Sequence, residues 1–203
     1  MTSAQSLRAR FKATVTEAIL DAAEELAAAD GVPATNLQAV AKRAGVAVGT
    51  IYNHFEDRDE LFAELYARRR DELFTQLDAA GASVEGADFD TQLDAFARTV
   101  LGFFDTRRAF LRLGLDGRAP KPAPRKKGAS AAQSSMDQLT ARAALIVRVG
   151  LEEKRLRAEV ADLAPIALTG LLRAVLVARA ADPRPLVDEA ARVIALFLRG
   201  ASR

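Results

Sequence analysis

Apolar residues recur at helical spacing along this chain, and no stretch alternates apolar and polar residues as a half-buried strand does. Within residues 15–29, for example, four apolar residues fall at positions i, i+3, i+4 and i+7: Ile19, Ala22, Ala23 and Leu26. Residues that favour helices, mainly Ala, Leu, Arg and Glu, dominate the composition. The sequence therefore predicts an all-α fold.

Turn residues divide this pattern into separate helices. Asp30-Gly31-Val32-Pro33 ends the first helix, because Gly adopts positive φ readily and Pro cannot continue a helix. A second helix is expected from Thr35 or Asn36, either of which can cap it, to Gly45. Later helices are expected at residues 48–55, 56–77, 89–105, 107–115, 136–149, 161–181 and 185–198.

Residues 118–128 contain three prolines and five cations and lack acidic residues. Such a segment cannot build an apolar core, so we expect a solvated loop. A second nucleic-acid site is the alternative, and the sequence leaves the role of this loop open.

Composition excludes several classes of protein. The chain lacks Cys and contains a single His, His54, which excludes thiolate and multi-histidine metal sites, and no cofactor is expected. A Gly-rich phosphate loop and a GxSxG motif are also absent, so an enzyme is disfavoured. The most apolar run, residues 165–181, is interrupted by Gly170, Arg173 and Arg179, which argues against a membrane span. We therefore expect a soluble cytoplasmic protein.

Residues 37–55 have the layout of a helix-turn-helix, in which two helices are joined by a tight turn at Ala44-Gly45-Val46. Gly45 permits the left-handed backbone that this turn requires. The second of these helices presents short polar, aromatic and apolar groups that suit contacts to phosphates and base edges in a major groove. These groups are Val48, Thr50, Tyr52, Asn53 and His54.

The segment Ala44–Phe55, which reads Ala-Gly-Val-Ala-Val-Gly-Thr-Ile-Tyr-Asn-His-Phe, and the following Glu56–Leu61 resemble the DNA-binding signature of the TetR/AcrR family of transcriptional repressors. The close resemblance spans residues 18–65. It implies a three-helix DNA-binding domain over residues 1–59 and a helical ligand-binding and dimerisation domain over residues 60–203. The implied partners are double-stranded DNA, a small-molecule effector and a second copy of the chain.

The resemblance also implies which residues contact DNA: Thr35, Asn36, Gln38, Val48, Thr50, Tyr52, Asn53, His54 and Arg58. Tyr52 and His54 would bind phosphates, Thr50 a phosphate or a base, and Gln38 a base. Arg58 stands where the family usually has Lys and would clamp another phosphate. Thr35 and Asn36 would present the N-terminus of the second helix to the DNA backbone.

Two features depart from the family pattern. Ala47 replaces the Ser that commonly caps the recognition helix, and Val48 is apolar at a position that often reads bases. Residues 1–60 also contain nine acidic residues against six cations, so positive charge must concentrate on the DNA face. The alternative function is a helical interaction module that has lost DNA binding.

The C-terminal helices carry apolar stripes that suit a four-helix dimer interface, which is also the dimer contact of the family. We expect this interface to include Ile166, Gly170, Ala174, Val187, Ala191, Ile194 and Leu198. Packing of the same stripes onto their own chain is the alternative reading.

Five of the ten phenylalanines lie in residues 89–149, and four of them are candidates to line a cavity for an apolar or amphipathic effector. The candidate ligand-binding residues are Phe96, Arg98, Thr99, Phe103, Phe104, Phe110 and Arg142. An ordinary apolar core is the alternative for the phenylalanines. We expect an effector to shift the fourth helix and so change the separation of two DNA-binding heads.

Overall fold

The computed structural model describes residues 3–115 and 134–202, and in these ranges the chain is helical, as predicted. Its α-helices are α1 (Ser3–Asp30), α2 (Leu37–Ala44), α3 (Val48–Tyr52), α4 (Arg58–Ser83), α5 (Phe89–Thr106), α6 (Arg108–Leu115), α7 (Ser135–Glu152), α8 (Ala164–Arg179) and α9 (Ala190–Ala201). Short 3₁₀ helices cover Val32–Ala34, Ala158–Val160 and Leu186–Glu189. An isolated antiparallel bridge joins Leu156 to Ser202.

The described residues form two compact units. The first comprises residues 3–69 and 112–115, and the second comprises residues 70–111 and 134–202. The boundary expected from the sequence, between residues 59 and 60, lies ten residues earlier. The difference has a simple cause, because Leu61, Phe62 and Leu65 of α4 are buried in the core of the first unit.

The core of the first unit is built from one face of each of its helices. Ile19, Leu20 and Ala23 of α1 pack with Val40 of α2 and Ile51 of α3, and all of these are fully buried. The apolar stripe predicted for α1 is thus the face that α1 buries. The unit therefore holds α2 and α3 at a fixed angle on a support made by α1 and α4.

The second unit has a larger apolar core, contributed by α4 to α9. Its fully buried side chains include Phe89 and Leu93 of α5 and Leu168 and Leu172 of α8. α7 approaches α5 closely at Gly150, where an added Cβ would lie 2.8 Å from the Phe89 ring. Only a residue without a side chain permits this separation.

Several helix boundaries differ from the sequence prediction; α4, for example, was expected over residues 56–77 and ends at Ser83. α1 begins at Ser3 rather than near Val15, because residues 3–14 contain good helix formers and no Pro or Gly. The last helix was expected from Pro185, yet α9 begins at Ala190 and Leu186–Glu189 is 3₁₀. The predicted loop at 118–128 lies outside the described residues. Across the described ranges, the helices all fall short of the length and apolarity that a bilayer crossing requires.

Candidate nucleic-acid interface

The turn between α2 and α3 has the geometry that its sequence predicts. Asn36 is the N-cap of α2, and its side-chain oxygen accepts a hydrogen bond from the Ala39 amide at 2.8 Å. Gly45 ends α2 in the left-handed conformation, with φ of 70° and ψ of 28°. Immediately beyond it, the Val46 amide donates to the Ala41 carbonyl at 3.0 Å. These contacts fix where α3 begins.

α3 is short and is held by its buried side. Ile51 is fully buried, and Phe55 just beyond the helix is 4% exposed. Ala47 at the N-cap provides no side-chain hydrogen bond, as the replacement of Ser implies. The position of α3 therefore depends on packing rather than on capping.

The outward side of the motif carries most of the predicted DNA-contacting residues. Gln38 and Asn53 are exposed, and 55% of Tyr52 is accessible to solvent. Thr50 is half-buried. Val48 is also half-buried and packs against the core, so only part of its side chain faces outward.

The N-terminus of α2 lies beside Arg58, in a shallow cleft of about 370 Å³. The Arg58 guanidinium donates to the Pro33 carbonyl at 3.0 Å, which ties the start of α4 to the turn before α2. Asn36 also lines this cleft. Thr35 differs from the expectation of a surface group, because it is buried and its hydroxyl donates to the Gly31 carbonyl at 3.0 Å.

His54 is half-buried and contacts α1. Its ring Nδ1 lies 2.9 Å from the Thr16 hydroxyl oxygen. Burial and, secondly, the nearby charge of Lys12 lower the pKa of His54 below its usual value of 6.5. The neutral imidazole is therefore favoured at neutral pH.

A buried ion cluster that was not predicted from the sequence supports the same unit. Arg69 of α4 is fully buried and binds the carboxylates of Glu17, Asp21 and Glu24 on α1. Its distances to the Asp21 and Glu24 oxygens are 2.5 and 2.8 Å. Burial opposes the charge, but the hydrogen bonds that Arg69 donates to Glu17 and Glu24 outweigh it and raise the pKa of Arg69.

This cluster changes the charge balance inferred from the sequence. Three of the nine acidic residues in residues 1–60 are used internally by a cation that lies beyond that range. A fourth, Glu25, pairs with Arg43. These pairs leave five acidic residues and five cations in residues 1–60, so the acid excess is taken up inside the unit. The spacing of the three carboxylates along one face of α1 was the signal in the sequence.

The candidate ligand-binding phenylalanines divide into two groups in the second unit. Phe96 and Phe103 are buried in its core. Phe104 and Phe110 are partly buried, and their rings stack with centroids 6.4 Å apart and planes 5° from parallel. Phe104 also meets Phe103 edge to face at 5.1 Å.

The polar candidates in the second unit bind neighbouring groups on the protein. Arg98 is exposed and pairs with Asp94 at 2.8 Å. The Thr99 hydroxyl donates to the Ala95 carbonyl at 2.7 Å. Arg142 binds Asp78 at 2.8 Å and lies over the Phe74 ring, 4.5 Å from its centroid. The hydrogen bond from Arg142 lowers the pKa of Asp78.

Six of the candidate dimer residues lie on α8 or α9, where Ile194 and Leu198 pack against the core of the unit, and Val187 lies in the 3₁₀ helix before α9. Ile166 is 58% exposed, and Gly170, Ala174 and Ala191 are exposed as well. The other three are half-buried: Val187, Ile194 and Leu198. Further exposed apolar residues extend these surfaces beyond the predicted set: Leu163, Val177 and Leu196.

Comparison with known proteins finds sequences that are similar to the N-terminal unit. The family model described as bacterial regulatory proteins, tetR family, matches residues 19–65. The chain is 48% identical over 48 residues to the HTH-type transcriptional regulator AcrR of Shigella flexneri, covering 24% of this chain and 22% of that protein. It is 40% identical over 68 residues to the HTH-type transcriptional repressor KstR of Rhodococcus jostii (strain RHA1), covering 34% and 30%. The alignments thus span less than a third of either relative.

Solved structures resemble the chain over nearly its whole length. PfmR from Thermus thermophilus, a TetR family transcriptional regulator, has a TM-score of 0.74 at 24% identity and covers 91% of this chain and 99% of its own. KstR2 of Mycobacterium tuberculosis, a ketosteroid transcriptional regulator, has a TM-score of 0.71 at 20% identity and covers 93% and 95%. FadR of Bacillus subtilis, solved with stearoyl-CoA, has a TM-score of 0.69 at 16% identity and covers 91% and 98%.

These structural likenesses establish the fold, and the sequence matches are confined to the N-terminal segment that contains the helix-turn-helix. Residues 19–65 thus match the tetR family of bacterial regulatory proteins, and the chain as a whole shares the fold of these solved regulators.

Proposed function

We propose that the chain is a dimeric transcriptional repressor that binds a palindromic DNA operator through α3 and releases it when a small molecule binds the second unit. The observation that carries the proposal is the α2–α3 motif. It combines a left-handed Gly45 turn, a buried Ile51 side and an outward side formed by Gln38, Tyr52 and Asn53. This is the arrangement of a recognition helix that enters the major groove.

The chemistry of the outward residues suits both phosphate and base contacts. Tyr52 can donate a hydrogen bond to a phosphate oxygen, and the Gln38 amide can pair with an adenine edge. Arg58 adds a cation beside the amides at the start of α2, where an anion is favoured.

Dimerisation is supported by the exposed apolar residues of α8 and α9. Side chains such as Ile166 and Leu196 each leave 58% of their surface accessible in the single chain. Gly170 and Ala174 are small enough to let two helices approach closely. A dimer also gains affinity, because once one head binds DNA the second binds at high effective concentration.

An apolar or amphipathic effector is supported by the aromatic cluster of the second unit and by a structural neighbour. The stacked Phe104 and Phe110 rings are only partly buried, so they retain surface that a ligand can cover. FadR of Bacillus subtilis, which shares the fold, was solved with stearoyl-CoA. The effector must bind the conformation that does not fit DNA more tightly, by a free energy equal to the coupling between the two sites.

Fluorescence anisotropy with labelled DNA from the promoter beside the gene tests DNA binding. We expect salt-sensitive binding to a palindromic segment. Tyr52→Ala and Arg58→Ala should weaken binding to all sequences by about 1–3 kcal/mol, whereas Gln38→Ala should relax the preference at one base pair. Arg43→Ala, which removes an exposed ion pair on the same unit, is the matched control. Absence of binding at low salt would favour the interaction module instead.

Sedimentation velocity tests the dimer. Ala174→Glu would place a charge at the centre of the proposed interface, where it would be desolvated, and should shift the protein towards monomer. Ala79→Glu, at an exposed position of α4, should leave the distribution unchanged. A parent protein that sediments as a monomer at micromolar concentration would contradict the proposed interface.

A further inference from the structure

His54 is the single histidine of the chain, and its ring is joined to α1 by a specific contact. Nδ1 lies 2.9 Å from the hydroxyl oxygen of Thr16, a residue 38 positions earlier. A ring with one nitrogen engaged in this way has only Nε2 left for a partner from outside the protein.

The direction of this hydrogen bond follows from the second contact of Thr16. Its hydroxyl oxygen also lies 3.0 Å from the Lys12 carbonyl oxygen, which can only accept. A hydroxyl group has one hydrogen, so a Thr16 hydroxyl that donates to Lys12 can only accept from His54. The neutral ring then carries its hydrogen on Nδ1, and Nε2 presents a lone pair.

We propose that Thr16 is a positioning residue that fixes the Nδ1–H tautomer of His54, so that His54 binds a DNA phosphate only in its protonated form. A lone pair on Nε2 repels a phosphate oxygen, whereas the imidazolium donates to it from Nε2. Each head that binds DNA therefore takes up one proton from solvent onto Nε2. This inference rests on the proposed DNA-binding function and adds to it the uptake of one proton by each head.

The charged groups around the ring allow DNA binding to be coupled to protonation of His54. His54 and Thr16 line a cleft of about 380 Å³ that also contains Lys12 of α1 and Glu60, Glu64 and Arg68 of α4. Arg68 is 3.4 Å from Glu64, and Glu60 accepts from the Glu56 amide, so these groups have partners of their own. Burial and Lys12 lower the pKa of His54 in the free protein, and an added phosphate would raise it again.

Nitrogen-15 NMR of the imidazole tests the tautomer directly on the full chain. Because there is one histidine, its two nitrogen signals are assigned without ambiguity. Above its pKa we expect the parent to carry the hydrogen on Nδ1, and Thr16→Val to shift the neutral ring towards the Nε2–H tautomer that dominates in free imidazole side chains. A parent ring with its hydrogen on Nε2 would overturn the proposal, whatever the protein binds.

DNA affinity at pH 6.0 and pH 8.0 tests the proton uptake. We expect the dissociation constant of the parent to rise by about three- to tenfold over this range, since uptake of one proton changes affinity by at most about tenfold per pH unit. Thr16→Ser keeps the hydroxyl and should keep the pH dependence. His54→Gln has no ring to titrate and should lose it.

Thr16→Val gives the sharpest result, because a merely structural role predicts weaker binding at every pH. We expect its affinity to depend less on pH than that of the parent and, at pH 8.0, to be at least equal to it. Equal pH dependence in the parent and in Thr16→Val would overturn the coupling. If the parent binds DNA at neither pH, the proposed function fails and the coupling with it, while the NMR spectra still decide the tautomer.

Discussion

The interiors of the two units are stabilised by different interactions. The second unit has a large core of Phe, Leu and Val, contributed by six helices. The first unit has a smaller apolar core and a fully buried arginine, Arg69, that joins α4 to three carboxylates of α1. An apolar core tolerates repacking, whereas a buried ion cluster requires one geometry. The unit that presents α3 is therefore the one with the more specific internal support.

The two tyrosines, Tyr52 and Tyr66, both lie in the first unit, which allows the units to be followed separately. Tyrosine fluorescence reports unfolding of the first unit, and far-ultraviolet circular dichroism reports the helices of both. Each stability prediction below is measured by urea titration with these two probes.

The largest effect is expected from Phe89→Ala in the second unit. Phe89 is fully buried, so its removal should cost about 3–5 kcal/mol of unfolding free energy through lost burial and a cavity. The dichroism transition should move further than the fluorescence transition. Phe11→Ala, at a residue 72% exposed, is the control and should cost almost nothing.

Arg69→Met should destabilise the first unit by about 3 kcal/mol, because it leaves the largely buried Glu24 carboxylate without its cation. The matched control is Arg43→Met, which removes the exposed pair with Glu25 and should cost less than about 1 kcal/mol. Equal costs for the two variants would show that the buried ion cluster stabilises the first unit no more than an exposed ion pair does. In Arg69→Met, the fluorescence transition should shift to lower urea concentration by more than the dichroism transition does.

Gly150→Ala tests the close contact between α7 and α5. The added Cβ would lie 2.8 Å from the Phe89 ring, and overpacking of this kind costs about 1–3 kcal/mol. Gly81→Ala on α4 has open space around its Cβ and should stabilise by at most about 1 kcal/mol. An unchanged free energy of unfolding in Gly150→Ala would show that the apolar core adapts more readily than we infer.

The smallest effect is a pH dependence of the first unit. The pKa of His54 is lower in the folded chain than its value of 6.5 when exposed, so the unfolded chain binds a proton more readily. Stability should be full above pH 6.5 and should fall as the pH drops through that value, by less than about 1 kcal/mol because His54 is only half-buried. His54→Gln should remove this dependence; an unchanged profile would assign it to other groups.

The predictions that the structure confirms depend on local sequence patterns. The all-α fold, the Asn36 cap and the Gly45 turn each depend on a few neighbouring residues whose preferences are strong. The same holds for the helix-turn-helix segment, which the family model matches. The DNA-contacting, ligand-binding and dimer residues stay predictions, since their partners are separate molecules.

Contacts between distant residues were not predictable in the same way. In the sequence, Arg69 resembles any other cation on a solvated helix, and the residues next to it do not indicate that it contacts α1. Thr35 reads as a surface capping residue, yet its hydroxyl is buried against Gly31. The 3₁₀ start before α9 depends on Asp105, more than 80 positions away along the chain, to which the amides of Leu186 and Val187 donate.

Asp105 and Arg108 together hold the segment that joins α8 to α9. Asp105 accepts from the Leu186 and Val187 amides at 2.7 and 2.9 Å, and Arg108 donates to the carbonyls of Arg179 and Asp182. Backbone groups that a surface loop normally leaves to water are thus saturated by two side chains. Amide hydrogens at the start of this 3₁₀ turn should exchange with deuterium as slowly as those inside a helix, so a connecting segment becomes one of the most persistent parts of its unit.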